Sequence, residues 1–176
     1  MKYKLSILLA AVFAISVGAA DFRIDISGVK GLTLAPVSAS EGVSLQQASW
    51  RGKSKDQTLS CTVKLENEWK EYSFSFMPKK SGQYNISLMS TDPEFFAACD
   101  SITVSGTTLR NGDFEQVNAK GNPSFWYTVK NPRFSKSGGV DGSKYVVTAH
   151  NDRWTQQMSC KRGEKVTITF YARTEK

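Results

Sequence analysis

One histidine, three cysteines and sixteen carboxylates are the groups through which this chain could do covalent or acid–base chemistry. His150, in Ala149-His150-Asn151-Asp152, is the base that a serine or cysteine triad would have to use, but no nucleophile elbow or matching cysteine motif accompanies it. It is expected in a surface loop. Paired carboxylates can hydrolyse glycosides when their separation is right, yet none here lies in a recognisable motif. Cys61, Cys99 and Cys160 are spaced neither as a zinc ribbon nor as a redox pair. They allow one disulfide, in any of three pairings, with one thiol left over, or else buried free thiols acting as small apolar side chains. The expectation is a protein that is not an enzyme.

Binding is the better-supported chemistry. Four tryptophans and six tyrosines are many for 176 residues. Sugar rings lay their C–H faces on such side chains while polar neighbours hydrogen-bond the hydroxyls. The net charge is +7, of which Lys2 and Lys4 supply two, and the remaining basic residues are scattered, with only short pairs such as Lys79-Lys80 and Lys161-Arg162. That distribution is a solvated surface and excludes the clustered footprint of a nucleic-acid binder.

The elements that must position these residues are strands. Phe22 to Ile26, Tyr72 to Phe76, Tyr84 to Leu88 and Val166 to Phe170 each alternate with period two, and Ile102 to Val104 is short and β-branched. Ser81-Gly82 and Arg162-Gly163-Glu164 supply turns. No window carries a sustained apolar period of 3.6. The fold class expected is an all-β antiparallel sandwich. In Val166 to Phe170 the inward residues should be Val166, Ile168 and Phe170, with Thr167, Thr169 and Tyr171 facing out. Residues 1–20 combine a Lys2/Lys4 start, an apolar run from Leu5 to Val17 and the small residues Gly18-Ala19-Ala20, the pattern of a secretory signal too short to span a bilayer. The protein is therefore expected to be secreted or periplasmic, without membrane insertion, as one domain over residues 21–176.

Leu109-Arg110-Asn111-Gly112-Asp113-Phe114-Glu115 resembles the opening strand of the cellulose- and xylan-binding modules of the family 4/9 type, which are galactose-binding-like jelly rolls. Phe125-Trp126, Asp141-Gly142-Ser143-Lys144-Tyr145, Trp154-Thr155-Gln156-Gln157 and Gly163 to Phe170 resemble the segments that follow in that family. The likeness covers Leu109 to Arg173. Trp69 to Phe76 and Phe95 to Val104 resemble the family's second half but come first here. One explanation is a circular permutation joined through Ser105 to Thr108; the alternative is two partial modules, 21–106 and 107–176. Permutation implies that the two ends of the exported chain pair directly. It also implies one core holding Phe74, Phe76, Ile86, Leu88 and Ile102 together with Phe114, Val146, Ile168 and Phe170.

The resemblance implies a non-catalytic carbohydrate-binding module that takes a polysaccharide or glycan in a groove on one sheet face. Trp154, Arg153, Gln156 and Tyr171 are the residues assigned to that surface, with Trp50 as a loop alternative, while Trp69 and Trp126 are assigned to the core. It also implies a structural Ca²⁺ where the first and last strands meet, held by Asp100 and Glu115 with a contribution from Asp113. A structural or adhesive cell-surface sandwich without sugar binding is the other function compatible with these residues.

Overall fold

The computed structural model describes residues 21–29, 33–49 and 57–175. The expected signal segment and Trp50 lie outside them. Twelve strands are described: β1 (Asp21–Gly28), β2 (Leu34–Ala39), β3 (Val43–Ser49), β4 (Gln57–Lys64), β5 (Lys70–Pro78) and β6 (Gly82–Ser90) come first. After them come β7 (Phe96–Ser105), β8 (Tyr127–Val129), β9 (Arg133–Ser135), β10 (Tyr145–Thr148), β11 (Arg153–Cys160) and β12 (Val166–Glu175). They form two six-stranded sheets, ordered β3-β4-β1-β6-β11-β8 and β2-β5-β12-β7-β10-β9. All named strand pairs are antiparallel. The protein is an all-β antiparallel sandwich.

Period-two alternation decides which residues the sandwich encloses. On β1, Phe22, Ile24 and Ile26 are buried and the residues between them are half-buried; on β12, Val166, Ile168 and Phe170 point inward as their phase requires. Phe170 is the hub: its ring lies 5.7 Å from Tyr72 and 6.5 Å from Phe74 in its own sheet, and 5.7 Å from Phe22 in the facing one. The nine apolar residues named above from both halves of the sequence all belong to one continuous core. The direct pairing of the chain's two ends is not found. β1 and β12 sit in opposite sheets and meet only across the core, because β12 is inserted between β5 and β7.

The Leu109–Glu115 segment is not a strand either. It belongs to a loop folded around the buried Asn111, whose side-chain amide donates to the carbonyls of Gln116 at 2.9 Å and Ser124 at 3.0 Å and whose Oδ1 accepts the Gln116 N–H at 2.9 Å. Asn111 and Phe114 have φ of +50° and +58°, which breaks any extended run. The loop closes one end of the core with Phe114 and Trp126, rings 5.2 Å apart, and the Trp126 indole N–H donates to the Asn111 carbonyl at 2.9 Å. Trp126 is thus a core residue. Trp69 is not: it packs with Ala98, Tyr145 and Val147 in a separate cluster on the outer face of the second sheet.

Candidate functional site

The surface on which a ligand could lie is the outer face of the first sheet. Residues directly opposite one another in neighbouring strands share a face, so the register writes out the rows. One row runs Ser60, Asp25, Ser87, Thr155, Tyr127 across β4, β1, β6, β11 and β8. The next runs Thr58, Ser27, Asn85, Gln157 across β4, β1, β6 and β11. Within the first row the Ser60 hydroxyl donates to Asp25 at 2.7 Å and the Ser87 and Thr155 hydroxyls are 3.1 Å apart. The row ends on Tyr127, 70% exposed at the sheet edge. Sequence reasoning missed Tyr127; the alternation of its partner strand β11, once in register, is what would have found it.

The four placed candidates for the glycan surface are not brought together. Trp154 is buried and shares the inward phase of β11 with Gln156, Met158 and Cys160. Its indole N–H donates to the Arg133 carbonyl at 3.2 Å, so the ring is part of the core and offers no stacking face. Gln156 is buried as well. Its Oε1 accepts the Arg110 N–H and its amide donates to the Arg110 carbonyl, both at 2.9 Å, so its polar atoms fasten the loop and are not open to a ligand. Arg153 is adjacent to Trp154 in the strand and so faces outward on the first sheet. Tyr171 also faces outward, but on the other sheet, where a hydrogen bond to Glu71 raises its phenol pKa.

Around Tyr171 the aromatic faces are already occupied by the protein's own cations. The Trp69 ring meets Tyr145 edge-on, 5.4 Å apart at 81°, and the Arg173 guanidinium lies 4.7 Å over it. Arg173 pairs with Glu175 at 3.5 Å, and Glu175 accepts the Tyr145 hydroxyl at 2.9 Å. Exposed Phe96 and Phe125 are likewise each capped by an arginine, Arg133 and Arg110, at 4.1 Å.

The carboxylates assigned to calcium are filled by protein donors. Asp100 accepts the N–H groups of Ser101 and Val140 and the hydroxyl of Ser143. Glu115 accepts the Lys144 N–H at 2.6 Å and pairs with its ammonium at 2.5 Å, which lowers its pKa. Exposed Asp113 accepts the Glu115 N–H at 3.5 Å. A Ca²⁺ needs six to eight oxygens with free lone pairs, and these residues as arranged do not fit it. Among the described residues no group of three or more His, Cys, Asp or Glu is placed to hold a metal.

The three thiols are sequestered, whereas His150 is exposed. Cys61, Cys99 and Cys160 are free, buried thiols, and burial raises the pKa of each. His150 holds the Thr91 carbonyl through Nδ1 at 3.1 Å. No protein-family model, curated protein or solved structure matches this chain.

Proposed function

We propose that this chain is an exported, non-catalytic binding module whose ligand is a polysaccharide lying along the outer face of the first sheet. The observation that carries the reading is the polar row of Ser60, Asp25, Ser87 and Thr155 ending on exposed Tyr127. Hydroxyls and side-chain amides both donate and accept, as sugar hydroxyls require, and the exposed phenol ring supplies the stacking surface. From β4 to β8 the row spans about 19 Å at the usual strand spacing, room for several rings of a chain. The likeness to cellulose- and xylan-binding modules, in permuted order, and the signal pattern of residues 1–20 support the same reading.

The test uses secreted protein whose N-terminus is first sequenced and is expected near Asp21. On a glycan array this material should retain a neutral or acidic polysaccharide. Tyr127→Ala should weaken that binding about five- to tenfold, the worth of one aromatic contact, while leaving the melting temperature nearly unchanged, as an exposed site allows. A second reading, a structural or adhesive surface protein without sugar affinity, is favoured by the arginine caps on Phe96 and Phe125. It prevails if the array stays blank. If binding persists undiminished in the Tyr127 variant, the ligand lies elsewhere.

A further inference from the structure

At one end of the first sheet, beside the turn joining β10 to β11, there is a cleft of about 120 Å³ whose lining includes Arg23, Met89, Thr91, His150 and Arg153 and, among the described residues, no carboxylate. Three adjacent strands build it. Arg23 on β1 stands opposite Met89 on β6. Arg153 immediately precedes Trp154, which pairs with Leu88, so it flanks Met89 from the β11 side. The backbones of Arg23 and Arg153 are thereby about 10 Å apart, with Met89 on the strand between them. His150, anchored on the Thr91 carbonyl, forms the wall toward the turn.

Neither arginine has its hydrogen-bonding capacity used up. Arg23 pairs through Nε with Asp25 at 3.1 Å, and its Nη2 points at the Met89 sulfur at 2.9 Å, a weak acceptor. The Arg153 side chain makes no hydrogen bond or ion pair with any described residue, although its Nε is buried. With one carboxylate, Asp25, against two guanidinium groups, the pair keeps a net positive charge and its members repel one another. An oxyanion seated over Met89 relieves that repulsion and accepts from both planar forks, the arrangement for which guanidinium groups are best suited.

We infer that this cleft binds one oxyanion group, a carboxylate or a sulfate, carried on the ligand. Nearby acids set its capacity. Asp25 is committed to Arg23 and to the Ser60 hydroxyl. Asp21, on the same phase of β1, has a buried Oδ1 with no donor among the described residues and repels any second negative charge. The site takes a single anionic group rather than a polyanion. The inference stands on the cleft alone and does not need the ligand to be a sugar.

The experiment follows the arginine Nε–H resonances of the protein comprising residues 21–176 during titration with sulfate, with acetate, and with sodium chloride at matched ionic strength. Sulfate or acetate should move the Arg153 and Arg23 signals saturably, and chloride should not. Arg153→Gln should abolish the saturable shift at Arg23 without lowering the melting temperature, because the Arg153 side chain has no bond to a described residue to lose. A glucan oligomer carrying a single uronate residue and a neutral glucan oligomer of equal length complete the test. The same variant should weaken the acidic oligomer about tenfold, one charge-assisted contact, and leave the neutral one untouched. Absence of a saturable shift with both anions, or an Arg153→Gln variant that titrates like the parent, overturns the inference. If both oligomers bind equally well and are indifferent to Arg153, the glycan reading survives and the anion site falls. If sulfate or acetate binds but neither oligomer does, the anion site survives and the glycan reading falls.

Discussion

The Asp100 carboxylate is wholly buried, yet it accepts the N–H groups of Ser101 at 2.6 Å and Val140 at 2.9 Å and the Ser143 hydroxyl at 2.6 Å. It is the post around which residues 138–143 wrap, so closely that a β-carbon on Gly139 would come within 2.4 Å of its oxygen. Burial raises its pKa, the three hydrogen bonds offset that only in part, and Glu115 adds to the rise. An acid whose folded pKa is raised stabilises most below its unfolded value, near 3.9, and loses that contribution as pH rises through the folded pKa. Asp100→Ala should cost about 1–3 kcal/mol by stranding buried donors. The gap from the parent, read as urea midpoints, should be larger at about pH 4 than at neutrality. A gap that widens toward neutral pH would show that the hydrogen bonds outweigh burial. Glu115 has the opposite sign: its pairing with Lys144 lowers its pKa, so its contribution is present at neutrality and fades on acidification.

At the scale of elements, β7 shows how an irregularity joins the core to the loop above it. Ser101 takes φ of +50°, and the β7–β12 register shifts there, between Thr169 and Tyr171. This is a β-bulge. The freed Ile102 N–H then donates to the Gly112 carbonyl at 2.9 Å, which seats the Asn111 loop on the sheet. The approach is tight: a β-carbon on Gly112 would stand 2.0 Å from the Ile102 carbonyl oxygen. Gly112→Ala must therefore push backbone from backbone, and we expect a loss of about 1–3 kcal/mol in chemical denaturation. Gly121→Ala is the contrasting case. Its φ is +77° but nothing lies within 4 Å of the added carbon, so only the conformational cost of about 1 kcal/mol applies. Equal losses in the two variants would mean that the Gly112 contact is not what holds the loop.

On the scale of the whole molecule, the two halves of the sequence are interleaved in both sheets. β12 and β10 flank β7 in the second sheet, and β11 lies against β6 in the first. Apolar residues before and after Gly106 share one core. Residues 109–176 expressed alone would leave β12 without β5 and β7, and β11 without β6, exposing apolar faces and strand edges. The fragment should be unfolded, with no dispersed amide spectrum and no near-ultraviolet circular dichroism. The protein comprising residues 21–176 should unfold in one cooperative transition. A fragment that folds by itself, or two separate transitions, would instead favour two partial modules.

The strands around Phe22, Phe74, Ile86 and Phe170 were legible in the sequence because alternation is a local property: period two puts every second side chain on one face whatever the partner strand. The inward set of β12 and the all-β sandwich follow from it. Partner and register are not local, and they decided everything about the candidate site. Arg153, Trp154 and Gln156 are close in sequence, but adjacent strand residues point to opposite faces, so only Arg153 reaches the surface while the other two serve the core. Tyr127 carries no signal in its own three-residue strand and becomes a platform only because β8 pairs with β11 at the sheet edge. Asn111 to Glu115 reads as a strand until tertiary hydrogen bonds to Gln116, Ser124 and Trp126 hold it as a loop with positive φ. Asp100 and Glu115 have the chemistry of calcium ligands, but the fold gives their lone pairs to Val140, Ser143 and Lys144. Residue type sets what a side chain can do, and the packing of distant strands sets which of those capacities remains free.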